Sequence, residues 1–350
     1  MTLLWAESFD DRTSDAALLN KYCSYYWQQS MNYGNATGRY GSSAFRMWEG
    51  DGWDRGHLTQ CLVNTDSTII FGAAVYLSLI GQAYNNYSNG VGFGKQGETD
   101  YLMFEFAAPQ HGIRVVRGQV NGTYLTETAN GVLPRYKWFY LEIKAYIHDT
   151  NGSVEIRIDG KKILDVTGLN TKNGTTDYVD FYRLWGCPYY SGDIRFDDIY
   201  ICNSEGTINN DFLGDVNVKL LMPNGVGSNT DWTPSAGDNY ACVDEIEPNT
   251  SDYVYTTVSG AYDTYSFETI PSGIIHGIQQ SFYGNRGTGG DRTFKAAARI
   301  GGVNYPMNSV MTLTDTYGYK FVLNEVSPAT TSGWTSDEIN SAEFGMKMED

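Results

Sequence analysis

Residues 138–165 read WFYLEIKAYIHDTNGSVEIRIDGKKILD, and no other part of the chain states its local structure as plainly. Phe139, Leu141, Ile143, Ala145 and Ile147 alternate with Tyr140, Glu142, Lys144, Tyr146 and His148. A period of two puts one set on the buried face of a strand and the other on a wet face. Asn151-Gly152 supplies the dipeptide of a tight hairpin turn. Val154, Ile156 and Ile158 resume the alternation, and Asp159-Gly160 turns the chain before residues 161–166 return. An antiparallel meander is expected.

The same grammar extends in both directions. Ile69, Phe71, Ala73, Val75, Leu77 and Leu79 form the longest clean alternation, which predicts a central strand. Fully burying one such side chain stabilises by about 1.5–3 kcal/mol, enough for this face to set the register. Residues 100–107, 113–120 and 123–128 continue the meander, with Asn121-Gly122 and Asn130-Gly131 as turns, and 179–186 and 193–202 close the first half. Asp15 is a plausible cap for a short helix over 15–22.

At 350 residues the chain is long for one core. Its 39 glycines suit turns and its 27 tyrosines suit half-buried strand faces, so an all-β chain is expected. The stretch NSEGTINN, 203–210, is polar and unpatterned, which places a boundary between a domain at 1–205 and another at 206–350. Beyond it Val216, Val218 and Leu220 alternate in an expected strand over 214–222, Pro223-Asn224-Gly225 turns, and 284–291 reads as a hairpin tip. One helical turn is expected at 335–339, where Asp337 and Glu338 suit a helix start, followed by a last strand over 342–348. Both domains are expected to be β-sandwiches.

The formal net charge is -17, with 17 basic against 23 acidic residues up to position 210 and 7 against 18 beyond it. Binding to nucleic acid through phosphate neutralisation is not expected of such a chain. The segment MTLLWAESFDD lacks the basic start and apolar run of a signal peptide, and no apolar run approaches membrane-spanning length. A soluble protein made in a cytoplasm is the expectation. The five cysteines, 23, 61, 187, 202 and 242, are widely spaced without a Cys-x-x-Cys pair, and read as free buried thiols.

No catalytic set is expected. A retaining glycosidase needs two carboxyl groups about 5–5.5 Å apart. The nearest candidates, Glu98 with Asp100 and Asp244, Glu245 and Glu247, sit beside glycines or before Pro248 and read as solvated edge charges. The four histidines, 57, 111, 148 and 276, are isolated, and no cysteine spacing supports zinc. No cofactor is expected, with calcium the one metal held open: Asp193, Asp197 and Asp198 are candidate oxygen ligands, and the consecutive pair suggests a bulge or an edge. Gly90, Gly92 and Gly94 come near a phosphate-binding motif, but no helix follows, so close approach to strand backbone explains them better. The remaining candidates are aromatic. Trp48 and Trp53, beside Asp54, flank one glycine-rich loop, and Trp185, Tyr189 and Tyr190 surround another. Such groups fit a lid folded back on the core, contact with a neighbouring subunit, or contact with a glycan.

The opening SFD at 8–10, the central stretch at 138–165 and the closing DIRFDDIYIC at 193–202 resemble the concanavalin A-like (laminin G-like) jelly-roll superfamily over roughly residues 1–205. NNDFLGDVNVKLLMPNG at 209–225, DWTPS at 231–235, Trp334-Thr335 and AEFGMK at 342–347 are similar to tailed-bacteriophage virion proteins that carry such a sandwich followed by a second β domain. The resemblance implies a non-enzymatic structural protein of the virion, a capsid decoration or a tail component, present in multiple copies and docked on major capsid or tail proteins. The alternative it leaves is a lectin-like receptor-recognition module of a tail fibre, binding a host surface glycan. Neither nucleic acid nor membrane is an expected partner.

Overall fold

The computed structural model of this chain describes residues 2–11, 21–27, 32–48, 56–78, 89–98, 100–107, 111–119, 122–186 and 193–350. Strand accounts for 52% of it and helix for 5%, so the protein is all-β as its glycine and tyrosine usage implies. The chain divides into two compact units, Met1–Val218 and Lys219–Asp350. Most of the expected helix at 15–22 lies outside the described residues.

The first unit is a jelly-roll sandwich. One sheet runs β13 (Lys161–Leu169), β12 (Gly152–Ile158), β11 (Trp138–Tyr146), β6 (Thr68–Leu77), β15 (Asp193–Cys202), β4 (Ser43–Trp48) and β3 (Asn32–Thr37), with β1 (Leu3–Glu7) also on β15. The other runs β10 (Thr123–Glu127), β9 (Gly112–Arg117), β8 (Asp100–Ala107), β7 (Asn89–Gly94), β14 (Phe181–Gly186), β5 (Gly56–Cys61) and β2 (Ser24–Trp27). The sequence-derived central strand, β6, does sit mid-sheet, between β11 and β15. Its Phe71 ring meets Phe93 of the facing sheet at 6.1 Å and Tyr182 at 5.9 Å, and these three rings mark the inner faces.

The β11–β12–β13 meander is as expected, with one difference. Asp159 and Gly160 both take positive φ, 50° and 74°, and make the tight turn. The Asn151-Gly152 turn is wider than a two-residue hairpin, because β11 ends at Tyr146 and the His148 ring caps the loop, accepting the Thr150 and Asn151 N–H groups at 3.0 Å on Nδ1. Gly152 is required there by packing: a Cβ would overlap Thr171 Oγ1 and lie 2.8 Å from Leu169 O.

Several sequence expectations are corrected. Cys23 and Cys61 are not free thiols; they form a disulfide, because β2 pairs with β5 and brings their Cα atoms to 5.8 Å. Cys202 and Cys242 are buried thiols outside any disulfide, and Cys187 lies outside the described residues. The second correction concerns residues 206–218, which are neither a free linker nor, at 214–222, a strand. They lie across the outer face of the eight-stranded sheet and complete its buried polar groups. Glu142, 1% exposed, accepts the Tyr200 hydroxyl at 2.6 Å and the Gly214 N–H at 2.8 Å. The Leu213 N–H donates to that hydroxyl at 3.0 Å, and Asp215 pairs with Arg39 at 2.7 Å. Arg157 lies over the Phe212 ring at 4.0 Å. The first compact unit therefore runs past 205 to Val218.

The second unit has a five-stranded sheet, β16 (Pro223–Thr230), β19 (Tyr262–Phe267), β24 (Glu343–Met348), β21 (Arg292–Ile300) and β22 (Val303–Leu313). Two-stranded sheets, β17 (Thr233–Pro234) with β18 (Val254–Tyr255) and β20 (Ile278–Gly284) with β23 (Gly318–Asn324), accompany it. Phe282 of β20 meets Phe294 of β21 edge-on at 5.2 Å, and Gln280 Nε2 donates to Gly345 O at 3.2 Å, so the β20–β23 pair forms a second layer. Residues 223–225 open a strand rather than a turn, since β16 finds β19 as its partner, and 284–291 links two sheets rather than capping a hairpin. The helix Ser336–Ser341 starts where expected, with Thr335 Oγ1 accepting the Glu338 N–H at 3.2 Å. No helix among the described residues is long and apolar enough to cross a membrane.

The bulge suggested by Asp197-Asp198 is present: the β15–β6 register shifts between Asp197 and Tyr200, and Asp198 has a φ of 49°. Burial, followed by the charge of Asp198, pushes the Asp197 carboxyl up to about 7. Burial pushes Asp198 up to about 6, against the Val218 N–H and Arg39. A carboxyl whose folded pKa exceeds its unfolded value of about 3.9 holds its proton longer in the folded chain. The folded state then binds more protons between about pH 4 and 7, so this pair favours folding increasingly as pH falls through that window. The chain is expected to resist urea better at about pH 5.5 than at about pH 8. Asp197→Asn should add about 1–2 kcal/mol at the higher pH and flatten the dependence. Denaturation series across that range on both proteins check this.

Candidate functional site

The sheet β10-β9-β8-β7-β14-β5-β2 owes its outer face to two strands of different composition. In β14, FYRLWG, the fully buried Tyr182 and Leu184 point into the core, so Phe181, Arg183 and Trp185 point out. In β7, NGVGFG, Val91 and Phe93 take the core positions, and Gly90, Gly92 and Gly94 fall on the outer face. The central strand β7 therefore puts no side chain of its own on that face at these three positions, and its neighbours close over it. The register sets one wall opposite the other: Trp185 lies beside Gly90 and Glu105, Arg183 beside Gly92 and Met103, and Phe181 beside Gly94 with Asp100 beyond.

The glycines are there for close approach, as their spacing suggests. A Cβ on Gly90 would overlap the Phe104 carbonyl oxygen and one on Gly94 would overlap the Phe181 ring. A Cβ on Gly92 would meet only the Met103 Sδ, at 3.3 Å, and the Arg183 Cβ, at 3.8 Å.

The walls are polar and tightly held. Arg183 Nη1 donates to both Asp100 carboxylate oxygens at 2.8 Å and its Nε to Thr59 Oγ1 at 3.0 Å. Burial raises the Asp100 pKa against the pull of Arg183, and lowers that of Arg183 against the pull of Asp100. The His57 ring stacks on Trp185 with centroids 5.4 Å apart and planes 15° from parallel. Burial, then the charge of Arg183, lowers His57 to about 4, so its imidazole is neutral at physiological pH. Trp185 Nε1 is buried and has no hydrogen-bond acceptor among the described residues. A buried indole N–H normally finds one. Arg114 Nε donates to the buried Glu105 at 2.6 Å on the next strand. The β7 glycines are themselves buried and the Phe181 ring lies against Gly94, so what this face presents is the half-buried Trp185 ring and the half-buried Arg183 guanidinium, a pair suited to holding a polar ring by stacking and hydrogen bonds.

The structure separates the aromatic residues singled out by sequence. Trp185 is on this face. Trp48 ends β4 on the other sheet, opposite Asp193, with the Arg46 guanidinium 4.4 Å over its ring. Trp53, Asp54, Tyr189 and Tyr190 lie outside the described residues. The calcium candidates do not converge on one point. Asp193 is held by Arg46 at 3.0 Å and Arg195 at 2.7 Å. Asp197 accepts the N–H groups of Arg39 and Asp198, each at 2.8 Å, and Asp198 accepts that of Val218 at 2.8 Å. Among the described residues no three carboxylate, histidine or cysteine side chains group as a metal site. Glu98 and Asp100 are likewise apart in function. Asp100 holds Arg183, while Glu98 accepts the Tyr101 hydroxyl at 2.8 Å and groups of Thr175, which lower it to about 2.

Sequence reasoning missed His57 and Arg183. The available signal was the pairing of two alternating strands out of phase, NGVGFG with glycines at one parity and FYRLWG with large residues at one parity.

No protein-family model matches the chain, and no curated protein matches it in sequence. Among solved structures the chain is similar to the cellulose-induced protein Cip1, at 14% identity over 56% of this chain and 96% of that one, with a TM-score of 0.42. It is similar to a carbohydrate esterase from the Shiga toxin-encoding bacteriophage phi24B, at 12% identity over 58% and 98%, TM-score 0.36. It is also similar to a carbohydrate-binding module, CBM66, from Bacillus subtilis, at 11% identity over 51% and 95%, TM-score 0.30. Likeness at this level assigns no activity to the chain.

The glycine strip makes a sharp stability prediction. Gly90→Ala, which drives a methyl into backbone, should destabilise by about 1–3 kcal/mol or more. Gly92→Ala, facing a flexible thioether, should fold with little loss. Thermal melts of the two variants beside the parent check the contrast.

Proposed function

We propose that the chain is a non-enzymatic component of a tailed-phage particle whose first unit binds a host surface glycan on the outer face of its seven-stranded sheet. The observation that carries the glycan reading is the half-buried pair Trp185 and Arg183, two residues apart on the outer face of β14 beside the glycine strand β7. A pyranose presents an apolar face to an aromatic ring and a rim of hydroxyls to donors. Stacking on the Trp185 ring and donation from the Arg183 guanidinium answer both needs.

The particle setting rests on the sequence stretches at 209–225, 231–235 and 342–347, which are similar to phage virion proteins. It extends to a place on the capsid exterior or the tail, in multiple copies against other virion proteins. The Cys23–Cys61 disulfide is in keeping with a surface that meets an oxidising exterior. Binding without turnover is supported by the carboxylates of this face, since Asp100 and Glu105 are each held by an arginine. A degradative reading has one observation in its favour, the neutral His57 imidazole close to Arg183, which has the protonation state of a general base.

Purified protein is expected to co-sediment with surface polysaccharide of its host, and Trp185→Ala to weaken that binding about tenfold or more without lowering the melting temperature. No new reducing or unsaturated ends should appear on prolonged incubation. Binding untouched by Trp185→Ala rejects the site, and turnover lost in His57→Ala establishes the degradative reading instead.

A further inference from the structure

The opposite face of the sandwich carries a second constellation that the glycine strip does not involve. Arg46 of β4, Arg195 of β15, Tyr76 of β6 and Trp138 of β11 pair residue by residue across four neighbouring strands. At about 4.8 Å per strand the row spans about 14 Å. Trp48 and Asp193, opposite one another, lie two residues along the same faces of β4 and β15.

The members touch in sequence along this row. Arg46 lies 4.4 Å over the Trp48 ring and donates from Nε to Asp193 at 3.0 Å. Arg195 donates to the same carboxylate from Nε and Nη2, lies 4.9 Å from the Tyr76 ring, and Tyr76 meets Trp138 at 5.8 Å. None of these side chains is sealed into the core: that of Arg46 is 30% exposed and that of Arg195 22%.

Two features set this row apart from an ordinary surface ion pair. One carboxylate is shared by two guanidinium groups, so the trio keeps one positive charge on a chain whose net charge is -17. Arg46 spends only its Nε on Asp193, so among the described residues the terminal nitrogens of a rigid fork are left for another acceptor. Such a fork matches a carboxylate with two parallel hydrogen bonds. Trp48 on one side and Tyr76 with Trp138 on the other supply ring faces for the sugar carbons, and stacked aromatic and arginine faces hold both guanidinium groups flat.

We propose that this row is a second saccharide site, selective for a sugar that bears a carboxylate, with the Arg46 fork binding the acid group, Arg195 holding Asp193 and the Thr37 carbonyl in place beside it, and Trp48 and Trp138 stacking on the rings to either side. It lies on the other sheet and stands whether or not the glycine strip binds a glycan.

Isothermal titration with tetragalacturonate, its methyl ester and neutral maltotetraose tests it. Tetragalacturonate should bind the full chain, with the ester and maltotetraose at least tenfold weaker. Arg46→Gln and Trp48→Ala should each weaken the acid ligand about tenfold at an unchanged melting temperature, and raised salt should weaken it further. Arg46→Lys, which keeps the charge but removes the fork, should fail to restore full affinity and gives a second reading if Arg46→Gln folds poorly. Trp185→Ala should leave this binding intact, which separates it from the other face. Absence of binding, equal binding of the neutral ligand, or binding indifferent to both Arg46 variants overturns the proposal.

Discussion

Phe71, packed against Phe93 and Tyr182 across the sandwich, is the contact on which the first unit depends. Each strand places alternate residues on opposite faces, so burying these rings assigns every other position in β6, β7 and β14. Once Tyr182 is inside, Arg183 and Trp185 must be outside. Once Phe93 is inside, so must Gly92 and Gly94 be out. The core therefore writes the surface, and a one-residue slip in β14 would bury Arg183 and expose Tyr182.

The other sheet shows what happens when an outer face is itself covered. Residues 206–218 lie over it, and the groups beneath are polar: Glu142, Tyr200, Arg39, Asp197 and Asp198. Buried carboxylates are costly unless hydrogen-bonded or paired. Here backbone N–H groups of Leu213, Gly214 and Val218 and the Asp215–Arg39 pair supply partners, which ties the segment to the first unit. The bulge at Asp198 turns both neighbouring carboxylates toward donors, and it leaves their acidity poised near neutrality.

The uncovered parts of the two outer faces differ in kind. One is a half-buried, tightly held arginine and a stacked His57–Trp185 pair, set beside the buried glycines of β7. The other is a row of rings and guanidinium groups that share one carboxylate. Both suit sugar chemistry, by different means.

Much of this was legible in the residues alone. The alternation of 138–165 and 69–77, the turn at Asp159-Gly160, the bulge at Asp197-Asp198 and the helix start at Thr335 all depend on neighbours within a few positions, where side-chain period and backbone preference act directly. The glycine spacing of β7 likewise announced close approach. What depended on strand order was not legible. Cys23 meets Cys61 only because β2 and β5 lie together, His57 meets Trp185 only because β5 and β14 do, and Trp48 parts from Trp185 because their strands belong to different sheets. Residues 203–210 looked like a boundary and 214–222 like a strand because the partners of 206–218, Glu142, Tyr200 and Arg39, are supplied by strands and turns distant in the chain. Local pattern determined which face each residue would take; only the packing of the two sheets, driven by burial of their inner rings, decided which faces would meet.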